Sequence, residues 1–500
     1  MRNLVVLSIF IVSLLPAAAF GAADMQTPDY WIDRLPGPDA VVLSHDEIVA
    51  LNKLILSRVD QMAEIAEMPE VISGDKLREW LLHDPAPDLT SVERYDGRGA
   101  RLDKRFVDGL VASINLEAVA DANSVRFGRV VSRADIRGFP TDAPILRAPG
   151  ERAFDTSQYS SVYPPAPVAL LHTSKDNKWG FFQTPFARGW MRLDNVAFAE
   201  RVDMAALSGA ALVITGSRVA VYADKRLRKR YASLPMGANL DIVSEDAGAW
   251  HVRLPIRGAD KAGLEWMDAY VDKKADAHQG PLPYTPRTII KQAFKMLGER
   301  YGWGGRNGKR DCSEFLMDAF ATVGVRLPRN SQQQALAGVV SPEDGAAITP
   351  DALNALLSET GAETKAGVKA VAETEAKTGT EAVANIGVKT GARPGITFLV
   401  TSGHIMLYLG QGPSGRAKGM RATAAKAVPY VIHQAHGYTR DGKKRVVDRV
   451  VVSGLGYRED KAGLWPLLGQ VRAITEVRLP VAPAPVKAIA AMDGGRAGGL

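Results

Sequence analysis

The spacing of apolar and polar residues changes character several times along the chain. From Asp24 to Asn123 the apolar positions recur at helical intervals. Ile48, Val49, Leu51 and Leu54 follow Ser44-His-Asp-Glu, whose first and fourth residues have capping-box spacing. This pattern predicts a helical arm over 24–123, with His45 a surface residue of a first turn. From Ser124 to Asp276 the pattern shifts to short alternating or β-rich runs broken by Gly, Pro and Asp. Two of these runs echo each other. Lys178-Trp-Gly-Phe-Phe-Gln-Thr-Pro precedes Arg188-Gly-Trp-Met, and Ala249-Trp-His-Val-Arg-Leu-Pro precedes Leu264-Glu-Trp-Met. A repeated Trp-led hairpin implies two small barrels, over 124–199 and 200–279, rather than one large sheet. The paired tryptophans are read as core and rim of each barrel, with a ligand platform as the alternative.

The Pro-rich hinge Gly280-Pro-Leu-Pro-Tyr-Thr-Pro then opens an α+β domain over 280–480. Thr285 is placed to cap a helix with Pro286 at its first position, and Ile289, Ile290, Ala293, Phe294 and Leu297 form its buried stripe. A second helix is predicted from Asp311-Cys-Ser-Glu314, a capping box with Asp in the cap position, to Gly324. Strands are predicted at Ile396–Val400, Ile405–Leu409, Tyr430–His433 and Val446–Val452. Between helices and strands, 358–393 is a biased Ala/Gly/Thr/Glu/Lys/Val tract without aromatics, read as a flexible insertion or a weak surface helix. The Pro/Ala/Gly-rich end, 481–500, is read as disordered.

Residues 1–23 read as a secretory signal: Arg2, an apolar run from Leu4 to Leu15 too short to span a bilayer comfortably, then Pro16 and small residues to Ala23. A retained anchor is the alternative. No cysteine follows that run, which excludes a lipid-modified N-terminal Cys, and no later stretch is apolar enough for a membrane span. The mature chain is expected in the periplasm or cell envelope, as a monomer. Its single cysteine precludes an internal disulfide. The net charge of +7 suits an anionic envelope. No Lys/Arg block alternates with aromatics, so nucleic acid is not an expected partner.

That lone cysteine, Cys312, falls at a predicted helix N-terminus in Tyr301-Gly-Trp-Gly-Gly-Arg-Asn-Gly-Lys-Arg-Asp-Cys-Ser-Glu-Phe. Free N–H groups and the helix dipole there are expected to favour a thiolate at neutral pH. A buried inert cysteine is the bland alternative. A nucleophile also needs an oriented base. His404 follows Ser402-Gly403 at the start of a strand and is the base candidate. His433, read as the end of the strand Tyr430-Val-Ile-His, is placed to accept the Nδ1–H of the first histidine. His436 is its rival. One Cys and scattered histidines without a nearby carboxylate motif do not make a metal site, and neither a Walker pattern nor a dinucleotide fingerprint is present, so no cofactor is expected.

These residues resemble the NlpC-type family of papain-like cell-wall peptidases. Tyr301-Gly-Trp-Gly-Gly, Asp311-Cys-Ser-Glu, Leu327-Pro-Arg-Asn-Ser331, Gly403-His-Ile-Met-Leu-Tyr-Leu-Gly and Tyr430-Val-Ile-His433 fall in the family's order. The rest of the chain resembles the subgroup with a helical clip and two bacterial SH3-like barrels. The resemblance implies a multidomain α+β protein ending in a papain-like cysteine peptidase domain. It implies cleavage of the γ-D-glutamyl–diamino-acid bond in peptidoglycan stem peptides, in wall turnover or recycling. Cys312 would be the nucleophile, His404 the base and His433 the orienting residue, with Tyr301, Asp311 and Ser313 shaping the pocket near the peptide's amino end. The insertion at 358–393 departs from the family pattern. A wall-binding protein with an inactive peptidase domain, or an acyltransferase on the same core, remain the alternatives.

Overall fold

The computed structural model describes residues 24–84, 89, 92–204, 211–259, 262–342, 348–358, 391–413, 427–440, 442–456 and 464–480. The expected signal, most of the 358–393 tract and the tail from 481 lie outside them. Among the described residues no helix is long and apolar enough to cross a membrane.

The arm carries helices α1 (Pro28–Ile32), α2 (His45–Arg58), α3 (Gly74–His83) and α4 (Lys104–Ser113), with a short ribbon of β1 (Val71–Ser73) and β2 (Ala122–Ser124). Ser44 and Glu47 form both halves of the capping box at α2. The arm does not stand apart. Tyr30, Trp31, Ile32, Leu51 and Ile55 are buried in the same apolar cluster as the C-terminal helices, and the Trp31 ring lies 5.2 Å from that of Tyr430. Asn52 Nδ2 donates to the Gly324 carbonyl at 2.9 Å, and Arg58 Nη1 to the carbonyls of Leu336 and Gly338 at 3.0 and 2.9 Å.

Two seven-stranded antiparallel sheets follow. The first holds β3 (Arg126–Val130), β4 (Ala134–Arg137), β5 (Gln158–Val162), β6 (Pro167–Thr173), β7 (Trp179–Gln183), β8 (Arg188–Arg192) and β9 (Val196–Ala199), in the order β5-β4-β8-β7-β6-β3-β9. The second holds β10 (Ala211–Ile214), β11 (Arg218–Tyr222), β12 (Arg230–Pro235), β13 (Asn239–Glu245), β14 (Ala249–Arg257), β15 (Leu264–Asp272) and β16 (Ala277–Gln279), in the order β12-β11-β15-β14-β13-β10-β16. Counted from its own first strand, each sheet has the same order, so the echoed hairpins belong to two copies of one topology. The tryptophans differ between copies. Trp179 and Trp190 are buried where the first sheet packs on α3 and α4, whereas Trp266 is exposed.

The C-terminal unit packs α5 (Pro286–Phe294) and α6 (Cys312–Ala321) on a six-stranded antiparallel sheet, β17-β22-β18-β19-β20-β21. Its strands are β17 (Val339–Ser341), β18 (Thr397–Thr401), β19 (Ile405–Pro413), β20 (Ala427–Arg440), β21 (Lys443–Gly454) and β22 (Val471–Glu476). Thr285 caps α5, with Pro286 in its first turn. Ile405, Leu407 and Ile432 face the helices, and alternate residues such as Met406 and Val431 face a second cluster with Leu357 and Trp465. β20 runs well past His433, so that histidine is an interior residue of a strand rather than its end. His433 pairs with Val451 of β21, and the ladder to β19 begins at the adjacent Ile432.

Candidate active site

The segment before α6 is an irregular 3-10 turn, Trp303–Gly308, in which Gly304 and Gly305 take φ of 57° and 74°. A Cβ on Gly304 would sit 2.5 Å from the Gln158 carbonyl oxygen, so glycine there satisfies both the left-handed backbone and the close approach of β5. The loop is fastened on two sides. Gln158 Nε2 donates to the Gly304 carbonyl at 2.9 Å and Arg133 Nη2 to that of Gly305 at 2.7 Å, both from the first barrel. From the second barrel, Arg218 donates to the Gly308 carbonyl, while Arg310 Nη2 donates to the Ser217 carbonyl at 2.8 Å.

Cys312 is the first residue of α6, with Asp311 as its cap. The Asp311 carboxylate accepts from the Glu314 and Gly304 amides at 3.0 Å each and from Ser313 Oγ at 3.1 Å. It also accepts from Arg329 Nη1 and Nη2, at 3.1 and 2.6 Å. Ser313 Oγ in turn accepts from Arg329 Nη1 at 2.8 Å. Asp311 and Ser313 are thus engaged internally around a buried guanidinium, which also donates to Ser160 Oγ of β5 at 2.6 Å. Only the Asp half of the predicted capping box forms. Glu314 lies 3.6 Å from Arg329, whose shorter contacts go to Asp311. Burial wins there and pushes the Glu314 carboxyl up to about 8.

The sulfur differs from the expected thiolate. Cys312 is 8% exposed, and burial, with the Asp311 charge as the next contribution, pushes its thiol up to about 12. The Ile405 and Ser313 backbone hydrogen bonds and the Arg329 charge oppose that rise but are smaller. A helix N-terminus is worth roughly 0.3–1 kcal/mol to an anion, which is too little to offset desolvation. The negative cap beside it further weakens the effect. The resting group is therefore a neutral thiol.

The Ile405 amide reaches that sulfur, which brings the preceding residue, His404, to the same place. His404 sits in a tight turn whose carbonyl accepts from the Thr401 amide at 2.8 Å. Its Nε2 lies 2.6 Å from His433 Nδ1. The contact uses the opposite nitrogen from the one expected, leaving His404 Nδ1 for a reacting group. Burial lowers the His404 ring to about 4, with the Asp311 charge acting the other way. His433 is lowered well below the usual histidine range by burial and by His404. Both rings are neutral at pH 7. His436 does not join them. Its ring lies 4.7 Å from Phe154 and 5.6 Å from Tyr301. Phe154, from the loop before β5, also meets Trp303 at 5.1 Å. Burial raises the Tyr301 phenol well above its ordinary value, and Cys312 and Asp311 are near enough to add to that rise. The structure thus brings Cys312, His404, His433 and Tyr301 to one region and adds Phe154, Arg329 and, 2.9 Å from His433 Nε2, Ser453, which the sequence reading did not single out. Arg329 stood inside a quoted block, so a buried arginine two residues after Leu327 was the available signal; Phe154 and Ser453 carried none.

Among known proteins, residues 298–421 match the NlpC/P60 family, and residues 144–192 match the SH3 domain of SH3b1 type. The NlpC/P60 match thus falls within the C-terminal unit, and the SH3b-type match within the first seven-stranded sheet and the loop before β5. The chain is 37% identical over 65 residues to the bifunctional muramidase/DL-endopeptidase CwlT of Bacillus subtilis, a match covering 13% of this chain and 20% of that protein. It is 33% identical over 90 residues to a probable endopeptidase of Corynebacterium glutamicum, covering 18% of this chain and 41% of that one. The chain therefore spans between a fifth and about two fifths of these relatives' length. The structure of an NlpC/P60 endopeptidase from Photobacterium damselae subsp. piscicida superposes with a TM-score of 0.61 at 16% identity, over 88% of this chain and 94% of that one. That likeness extends the shared fold over the arm and both sheets.

Proposed function

We propose that this protein is a cysteine endopeptidase of peptidoglycan stem peptides, acting in the cell envelope on the γ-D-glutamyl–diamino-acid bond. The observation that carries the reading is the 2.6 Å contact between His404 Nε2 and His433 Nδ1, beside a cysteine that opens a helix. His433 holds Nε2 of His404, so Nδ1 is the nitrogen that takes the Cys312 proton as the sulfur attacks the scissile carbonyl. Because both groups start neutral, proton transfer accompanies attack rather than preceding it. The Glu314 amide already serves the Asp311 cap, so the Cys312 amide at the start of α6 is the first-turn donor that would receive the developing oxyanion. The imidazolium then protonates the leaving amine, and water, deprotonated by the same nitrogen, resolves the thioester. Tyr301, Trp303, Phe154 and His436 form an aromatic wall shared by the NlpC/P60 domain and the first barrel. This wall supports selection for the short amino end of a freed stem peptide.

The test is digestion of defined muropeptides with products identified by mass. Wild-type protein is expected to release the diamino-acid fragment, and Cys312→Ala to release none at unchanged helix content. Full cleavage by the alanine variant would end the proposal. Burial of the thiol favours a second reading, a wall-binding protein with a closed peptidase domain. That reading predicts binding to sacculi without cleavage by either form.

A further inference from the structure

His433 has two polar ring atoms, and both are engaged. Nδ1 faces His404, and Nε2 lies 2.9 Å from Ser453 Oγ. His433 is 0% exposed and Ser453 5% exposed, so water has little access to this contact. The placement follows from register. In the β20–β21 ladder Val431 is opposite Ser453 and His433 is opposite Val451. The serine is therefore the diagonal neighbour of the histidine on the same face of the sheet. Trp465 closes the remaining side, its ring 4.8 Å from the imidazole at 72°.

We propose that Ser453 is a positioning residue that sets the tautomer of the whole histidine pair; the proposal rests on the peptidase reading for its kinetic consequence only. One proton lies between His404 Nε2 and His433 Nδ1. If it belongs to His404, then Nδ1 of His404 is bare and able to act as a base. Nε2 of His433 must then carry a proton, and that proton needs an acceptor. Ser453 Oγ lies 2.9 Å away and can accept that proton, although a hydroxyl can also donate to a bare nitrogen, so the serine makes the Nε2–H form accessible rather than compulsory. Without it, a buried N–H is left unpaired, and the neutral ring escapes that cost by moving its proton to Nδ1. His404 Nε2 must then accept, its own proton moves to Nδ1, and the base is lost although no reacting group has changed. A serine on the third strand of the array thus keeps available the protonation state that leaves a nitrogen two rings away bare.

The experiment uses the full chain labelled with 15N-histidine, at pH 7 and without substrate. In wild-type protein the imidazole nitrogens should show His404 protonated at Nε2 and His433 protonated at Nε2. Ser453→Ala should shift both rings toward the Nδ1–H form, and Ser453→Thr, which keeps a hydroxyl, should restore the wild-type pattern. With a stem peptide, Ser453→Ala should lose about 10- to 100-fold in kcat, by analogy with the partners that orient metal-bound histidines, with KM little changed and Thr rescuing. A wild-type spectrum with His433 protonated at Nδ1, or an Ala variant with unaltered tautomers, overturns the proposal. Failure to cut any muropeptide would sink the functional reading, while the spectra decide the relay on their own.

Discussion

Alkylation of Cys312 as a function of pH separates the neutral thiol from the ionised one. The ordinary thiol value is 9.0, and burial with Asp311 carries this one to about 12. Three units are about 4 kcal/mol against the thiolate. At pH 7 roughly one molecule in 10^5 is then ionised, against a few per cent for an exposed cysteine with a pKa near 8.5. Iodoacetamide reacts with the thiolate. Its rate with resting protein should therefore be about 10^3-fold below that of an exposed cysteine and should climb close to tenfold per pH unit between 6 and 9. The chain has one cysteine, so the mass gain of intact protein reports this residue alone. A rate at pH 6 as high as at pH 8 would refute the reasoning: the sulfur would be ionised at rest, and the helix terminus with Arg329 would outweigh burial.

Other substitutions test the surrounding framework. His433→Ala should reduce kcat by far more than His436→Ala, which should act chiefly on KM through the aromatic wall; the reverse split would reassign the two. Arg329→Met leaves the Asp311 and Glu314 carboxyls buried without their cation, and should destabilise the protein by about 3–5 kcal/mol, read from denaturant melts. Glu314 is held protonated in the fold. Its contribution to stability is full below the unfolded carboxyl pKa of about 4.3 and is lost as pH rises through about 8. Glu314→Gln should flatten that decline, and an unchanged pH profile of the melting temperature would contradict it. The acidic limb of kcat/KM should fall near pH 4, where His404 protonates, rather than near the usual histidine value.

How much was legible in the sequence depended on distance along the chain. Cys312 at a helix start could be read because the cap, the glycine approach and the apolar stripe are local. His404 and His433 could be read from short runs of strand residues. The duplicated sheets were visible through their Trp-led hairpins. Three things were not legible. The burial that keeps the sulfur neutral comes from elements far along the chain. The use of Nε2 rather than Nδ1 depends on how β19 and β20 lie side by side. Ser453 is an unremarked serine in a valine-rich strand, and only the register with β20 gives it meaning. Asp311 and Ser313 are a different case. The family resemblance gave them a part in shaping the pocket, and their pairing with Arg329, from a separate loop, could not be read from their own surroundings.

The loop that delivers Cys312 is gripped by Gln158 and Arg133 on one flank and by Arg218 on the other. A catalytic fragment cut to begin at the Pro-rich hinge would lose both grips, together with the Ser160 contact to Arg329. The two β modules are therefore not detachable cargo. Shortening this protein, or swapping its barrels for those of another, would disturb the setting of Cys312 even where every residue after 280 is retained.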